Sequence, residues 1–152
     1  MDQPVPREDL VKIVQAGIQA PSGCNSQSTS FVIVDDPDII VQIRELVRMP
    51  APAVITCIID PTPVYKGTNF ALEDCSAAVE NMLLVITALG YASVWLDGAI
   101  RGVVGEKIGQ LLNVPEGKKV QILLPIGVPE EQGTQRERKP FDERAWFNSY
   151  RR

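Results

Sequence analysis

Between Leu10 and Ile18 apolar residues recur every three or four positions, with Leu10, Ile13, Val14, Gly17 and Ile18 on one face. Pro6, followed by Glu8 and Asp9, marks the start of a helix that runs to about Gln19. Phe31-Val32-Ile33-Val34 predicts a short strand, Asp36-Pro37 opens a helix through Arg48, and the unbroken apolar run from Ala53 to Ile59 is of strand type. The segment from Asp60 to Asn69 reads as a loop, either a mobile substrate-side flap or an inert connection. A long helix follows from Phe70 to Leu89, closed by Gly90. Ala92 to Leu96 and Val120 to Ile126 are predicted strands, with a helix from Ile100 to Leu112 between them. Alternating helices and strands predict a three-layer sandwich around a central sheet, and periodicity leaves the strand directions open.

The long helix stands out because only Ser76, Glu80, Asn81 and Thr87 are polar between Ser76 and Leu89. Such a helix must be covered nearly all round, by a central position in the core or by a partner subunit, and the second favours a dimer. It falls short of the roughly 20 largely apolar residues that span a bilayer. After Pro129 the chain turns polar, and from about residue 130 it forms a tail carrying Phe141, Trp146, Phe147 and Tyr150. That many aromatics should dock on something.

Composition narrows the chemistry. At 152 residues the chain is one domain's worth, and 15 Lys plus Arg against 19 Asp plus Glu give a net charge of −4, so no global charge draws it to nucleic acid or an anionic membrane. It has no histidine, which removes Ser-His-Asp and Cys-His nucleophiles and His-containing zinc sites. A cofactor is then the expected carrier of any catalysis, with no catalytic side chain and no metal site assigned. Cys24, Cys57 and Cys75 are odd in number, lack Cys-x-x-Cys spacing and follow no apolar leader, which fits a reduced, cytoplasmic setting.

The octet Ala20-Pro21-Ser22-Gly23-Cys24-Asn25-Ser26-Gln27 lies at a helix-to-strand junction. Its short donors and acceptors, Ser22, Asn25 and Gln27, suit a ligand, and an ordinary surface loop is the alternative. Arg136, Arg138 and Lys139 are the one dense basic cluster. They suit a phosphate, unless the surrounding Glu130, Glu131, Glu137, Asp142 and Glu143 make them a solvated charge run. Trp95-Leu96-Asp97-Gly98 and Pro125-Ile126-Gly127 each bring a glycine to a strand end, where backbone can approach a ring closely or simply turn.

In register, these segments resemble one family. Pro21-Ser22, Asn25 and Gln27 are similar to the Pro-Ser-x-x-Asn-x-Gln loop of the FMN-dependent nitroreductases, and Val5 to Leu10 to their lead-in helix. Ala88 to Leu96 resembles the family's glycine-then-Ser-x-Trp stretch, Ile126-Gly127-Val128-Pro129 its Ile-Gly-x-Pro strand end, and Arg138-Lys139-Pro140 its basic-Pro element. The resemblance implies an α+β fold, a three-layer sandwich with a central mixed β-sheet flanked by helices. It further implies a homodimer with FMN at the subunit interface, NADH or NADPH as electron donor, and a nitroaromatic, quinone or similar small acceptor reduced in a ping-pong cycle. Pro21, Ser22, Asn25 and Gln27 would contact flavin held mainly by the other subunit. Leu96, Asp97 and Gly98 would line the ring, with Gly127 as a second close approach, and Arg138 and Lys139 would meet the phosphate. The tail from about residue 130 would be exchanged with the partner.

Two departures qualify the resemblance. The family's Arg-x-Ser-x-Arg segment ahead of the lead-in helix has no counterpart at Met1-Asp2-Gln3-Pro4, so either the natural start lies further upstream or the phosphate grip is depleted. The family's Pro-Trp after the Gln is here Ser28-Thr29, which puts the packing beside the ring in question. The alternative consistent with the first departure is a weakly flavin-binding or non-catalytic regulatory dimer of the same fold.

Overall fold

The computed structural model describes residues 3–131, 133–134 and 136–150; Met1, Asp2, Gln132 and Gln135, which belong to segments read above, lie outside them. The elements are α1 (Arg7–Ile18), β1 (Thr29–Val34), α2 (Pro37–Leu46), β2 (Ala53–Ile59), α3 (Ala71–Ala88), β3 (Ala92–Ser93), α4 (Val103–Leu111) and β4 (Lys119–Gly127). Asp36 caps α2, its carboxylate accepting from the backbone N–H groups of Asp38 and Ile39. At the end of α3, Gly90 takes φ 84°, and the N–H of Tyr91 donates to the carbonyl of Ile86, a glycine-closed C-terminus as the sequence predicts.

The sheet order is β1-β2-β4-β3. One face of β2 and β4, including Ile55, Cys57, Ile122 and Leu124, packs on Leu10 and Ile13 of α1 and Val79, Met82 and Ile86 of α3. The other face, with Val54 and Leu123, packs on Ile40 and Ile43 of α2 and Ile108 of α4. Two helical layers therefore enclose one sheet, and β2 is buried along its whole length because both faces are covered.

The α+β class and the central sheet agree with the sequence reading, but the sheet is not mixed: β1–β2, β2–β4 and β3–β4 all pair antiparallel. After Val34 the chain makes α2, bends through Pro50 and Pro52, and re-enters at Val54 directly beside Val34, so β2 must run back along β1. A strand buried on both faces has the same apolar pattern in either direction, which is why periodicity carried no sign of this. The predicted strand from Ala92 to Leu96 is also interrupted. Pairing stops after Ser93 and resumes only as a single bridge between Leu96 and Leu123.

The connection from Asp60 to Asn69 contains a tight hairpin in which Tyr65 faces Thr68 across Lys66 and Gly67, both at positive φ. On α3, Leu72 stays exposed and Leu84 is 62% exposed, so the described residues do not cover the helix on every side. Among the described residues no helix is long and apolar enough to cross a membrane. In the tail Trp146 packs on Tyr150 and Phe141 on Phe147, yet Phe141, Phe147 and Tyr150 remain 67%, 83% and 75% exposed.

Candidate functional site

The loop from α1 to β1 holds an unusual backbone. Cys24, Asn25 and Gln27 have φ of 53°, 53° and 50°, a left-handed conformation that costs non-glycine residues on the order of 1 kcal/mol each and Asn least. Two devices hold it. From one side, the hydroxyl oxygen of Ser22 accepts from the backbone N–H of Gln27 at 3.0 Å. From the other, Asp74 on the first turn of α3 accepts from the N–H of Gly23 at 2.7 Å and from the hydroxyls of Ser26 and Ser28 at 3.1 and 2.8 Å.

Asp74, which holds this loop, is a residue that sequence reasoning did not single out. Its signal lies in helical register: Ala71, Asp74, Cys75 and Ala78 share the buried face of α3, and a carboxylate placed there has to find donors. Ser28, one of the two residues that stand in place of the family's Pro-Trp, is thereby explained as a loop anchor. Thr29, the other, buries its Oγ1 without a partner among the described residues.

Four of the predicted site residues, Pro21, Ser22, Asn25 and Gln27, thus share one pinned loop. Among the described residues the hydroxyl of Ser22 has no acceptor for its proton while its oxygen accepts. Asn25 and Gln27 are exposed, and among the described residues neither commits its side-chain amide to a partner in the chain. Beside the loop lies an open cleft of about 150 Å³ lined by Ser26, Gln27, Ser28, Asp60, Thr62 and Lys118. Thr62 donates to the Asp60 carboxylate through its hydroxyl at 2.6 Å and its N–H at 3.0 Å, which lowers the pKa of Asp60.

Leu96, Asp97 and Gly98 form a second group at the opposite edge of the sheet. The sheet order places three inter-strand steps of about 4.8 Å, or about 14 Å, between the two edges. Leu96 exchanges backbone hydrogen bonds with Leu123, and Gly98 starts a helical turn with open space where a side chain would be. Asp97 is gripped by the Arg101 guanidinium at 2.9 and 3.2 Å, a pairing that holds its carboxyl below the usual range.

Gly127 stands apart from both groups. It pairs with Ala92 at the far end of β4 from Lys119, about 26 Å away along an extended strand, and a Cβ there would come within 3.2 Å of the Pro52 ring. Arg138 and Lys139 are exposed on the tail, with Lys139 Nζ 4.0 Å from Glu143 Oε2, an exposed contact of little strength. Within one chain the structure therefore brings together the loop residues, and separately the 96–98 turn, but not these two groups with each other, with Gly127 or with the basic pair.

The donor set fits a flavin mononucleotide: a hydroxyl and two amides without partners among the described residues for ribityl and pyrimidine oxygens, and exposed cations for a phosphate. A single chain does not close the site. The cleft is smaller than the roughly 300–1,000 Å³ typical of pockets for organic ligands, and its polar wall faces open space.

Comparison with known proteins agrees with this geometry. The model of the nitroreductase family matches residues 1–57 and 49–128. A candidate NADH dehydrogenase/NAD(P)H nitroreductase of Archaeoglobus fulgidus is 31% identical over 137 residues, spanning 86% of this chain and 78% of that protein. The fold is shared with an FMN-dependent nitroreductase of Clostridium difficile R20291, with a TM-score of 0.83 at 23% identity over 99% of this chain and 92% of that one. It is shared too with the NADPH:FMN oxidoreductase of Vibrio harveyi, with a TM-score of 0.83 at 21% identity over 100% of this chain and 72% of that one. With its antiparallel sheet between two helical layers, its pinned polar loop and a family match over most of its length, the chain belongs to the nitroreductase family of oxidoreductases.

Proposed function

We propose that this protein is an FMN-dependent NAD(P)H oxidoreductase that reduces nitroaromatics, quinones or similar electron-poor small molecules, acting as a cytoplasmic homodimer. The observation that carries the reading is the loop of residues 22–28, whose left-handed backbone presents the exposed Asn25 and Gln27 while bonds to Asp74 and Ser22 hold it in place. Bound FMN would supply the redox chemistry, a two-electron exchange between NADH or NADPH and the acceptor in separate half-reactions. The chain's own residues bind and orient. Ser22, Asn25 and Gln27 donate to ribityl and pyrimidine oxygens, with Pro21 fixing the loop's entry. Leu96, Asp97 and Gly98, with Gly127, offer backbone at close approach, and Arg138 and Lys139 neutralise the phosphate. No side chain is assigned as acid or base, which suits a chain without histidine.

The open geometry supports the homodimer. The loop and the 96–98 turn lie on opposite sheet edges, so a two-fold partner is the simplest source of the missing wall. The exposed Leu84 and Leu72 on α3, and the tail aromatics from Phe141 onward, supply apolar surface for that contact, with the tail from about residue 130 crossing to the partner. Three cysteines, odd in number and without Cys-x-x-Cys spacing, support a reducing compartment.

Titration with FMN, followed by flavin fluorescence and absorption, tests the reading. Saturable binding at micromolar protein, together with NAD(P)H-dependent bleaching of the flavin band, is expected. The absence of binding would leave the non-catalytic dimer as the better account.

A further inference from the structure

Building on the FMN reading above, we infer that Asp74 is the residue that positions Asn25 and Gln27 for the flavin. Asp74 is only 6% exposed, and among the described residues the partners of its carboxylate all lie in the loop: the Gly23 N–H on Oδ1, and the Ser26 and Ser28 hydroxyls on Oδ2. None of these is a cation. A loop swung away from α3 would leave a buried carboxylate without donors, so burial of Asp74 and closure of the loop enforce each other.

The same bonds sort the loop's side chains. Gly23, Ser26 and Ser28 are drawn towards α3 and are half-buried, whereas Cys24, Asn25 and Gln27, the residues with left-handed backbones, are the exposed ones. The alternation is what a ligand-facing edge needs, and it persists only while the inward residues are held. Without the carboxylate the backbone relaxes to ordinary φ values, and the Asn25 and Gln27 amides lose their fixed direction. A site that must order its donors at the moment of binding binds more weakly than one whose donors are already in place.

The test uses the full-length protein and three readouts: dissociation constants for FMN and for riboflavin, amide hydrogen exchange of residues 23–27 without flavin, and thermal unfolding. Asp74→Asn keeps the shape but sets an NH2 donor against the loop's donors. It should weaken FMN and riboflavin by the same factor, about tenfold or more, and speed exchange at Gly23 to Gln27. Arg138→Ala, which removes only the phosphate contact, should weaken FMN and spare riboflavin. If Asp74→Asn does not fold, Ser26→Ala and Ser28→Ala each remove one donor and should give the same signature in smaller measure. A wild type that binds FMN, with flavin affinity unchanged in all the Asp74, Ser26 and Ser28 variants that fold, overturns the positioning role and leaves the FMN reading standing. A lowered melting temperature with unchanged flavin affinity has the same meaning, since it marks a structural role only. A wild type that binds neither flavin overturns both.

Discussion

Gly23 lies against the ring of Phe70: a Cβ added at Gly23 would come within 2.3 Å of Phe70 Cδ2 and 2.7 Å of Phe70 Cβ. Phe70 directly precedes α3, so the contact seats the loop on the helix that carries Asp74. The near atoms include the root of the Phe70 side chain, which cannot rotate away. Gly23→Ala should therefore displace the loop or the start of α3. We expect a loss of about 1–3 kcal/mol in unfolding free energy, as for other overpacked sites, with weakened FMN binding measured in the same preparation.

Arg138→Ala should weaken FMN about ten- to hundredfold and leave the melting temperature where it was, because an exposed tail residue leaves no cavity. Lys139→Ala should act in the same direction but more mildly, since ammonium is a point charge without the guanidinium fork. Both effects should shrink at high salt. Isothermal titration at low and high ionic strength checks them, and unchanged affinity in both variants would identify the basic run as merely solvated.

Leu84→Asp tests the dimer. Leu84 is 62% exposed in the single chain, so the change should cost the protomer's own fold little. In a dimer that buries α3 it places an unpaired charge in the contact, and light scattering should report monomers where the wild type gives dimers.

Arg101→Gln should alter the acid limb of the stability curve. Arg101 lowers the pKa of Asp97 in the folded protein. The pair therefore adds stability that is fully present above the unfolded carboxyl pKa of about 3.9 and is lost as the pH falls through the lower folded value. Melting temperatures of wild type and variant should differ modestly at neutral pH, because the pair is largely exposed, and converge below that window. Parallel curves down to the lowest pH would show that the pair contributes nothing.

The sequence by itself determined the elements and the parts of the candidate site that are local. The apolar spacing of α1, the buried run of β2, the cap at Asp36 and the glycine closing α3 are set by residues within a few positions of one another, so they could be read from the chain. The polar octet was legible for the same reason, since its small and amide side chains have no use in apolar packing. Tertiary structure alone decided the antiparallel course of the sheet, because Val34 meets Val54 only through the path taken by α2, and a doubly buried strand has one pattern for both directions. It alone decided that Asp74 holds the loop, a contact across 51 positions between a carboxylate and a backbone N–H that no local spacing encodes. It also separated the loop from Leu96, Asp97 and Gly98, since strand order is fixed by long-range pairing and puts residues that look like one site on opposite edges of the sheet.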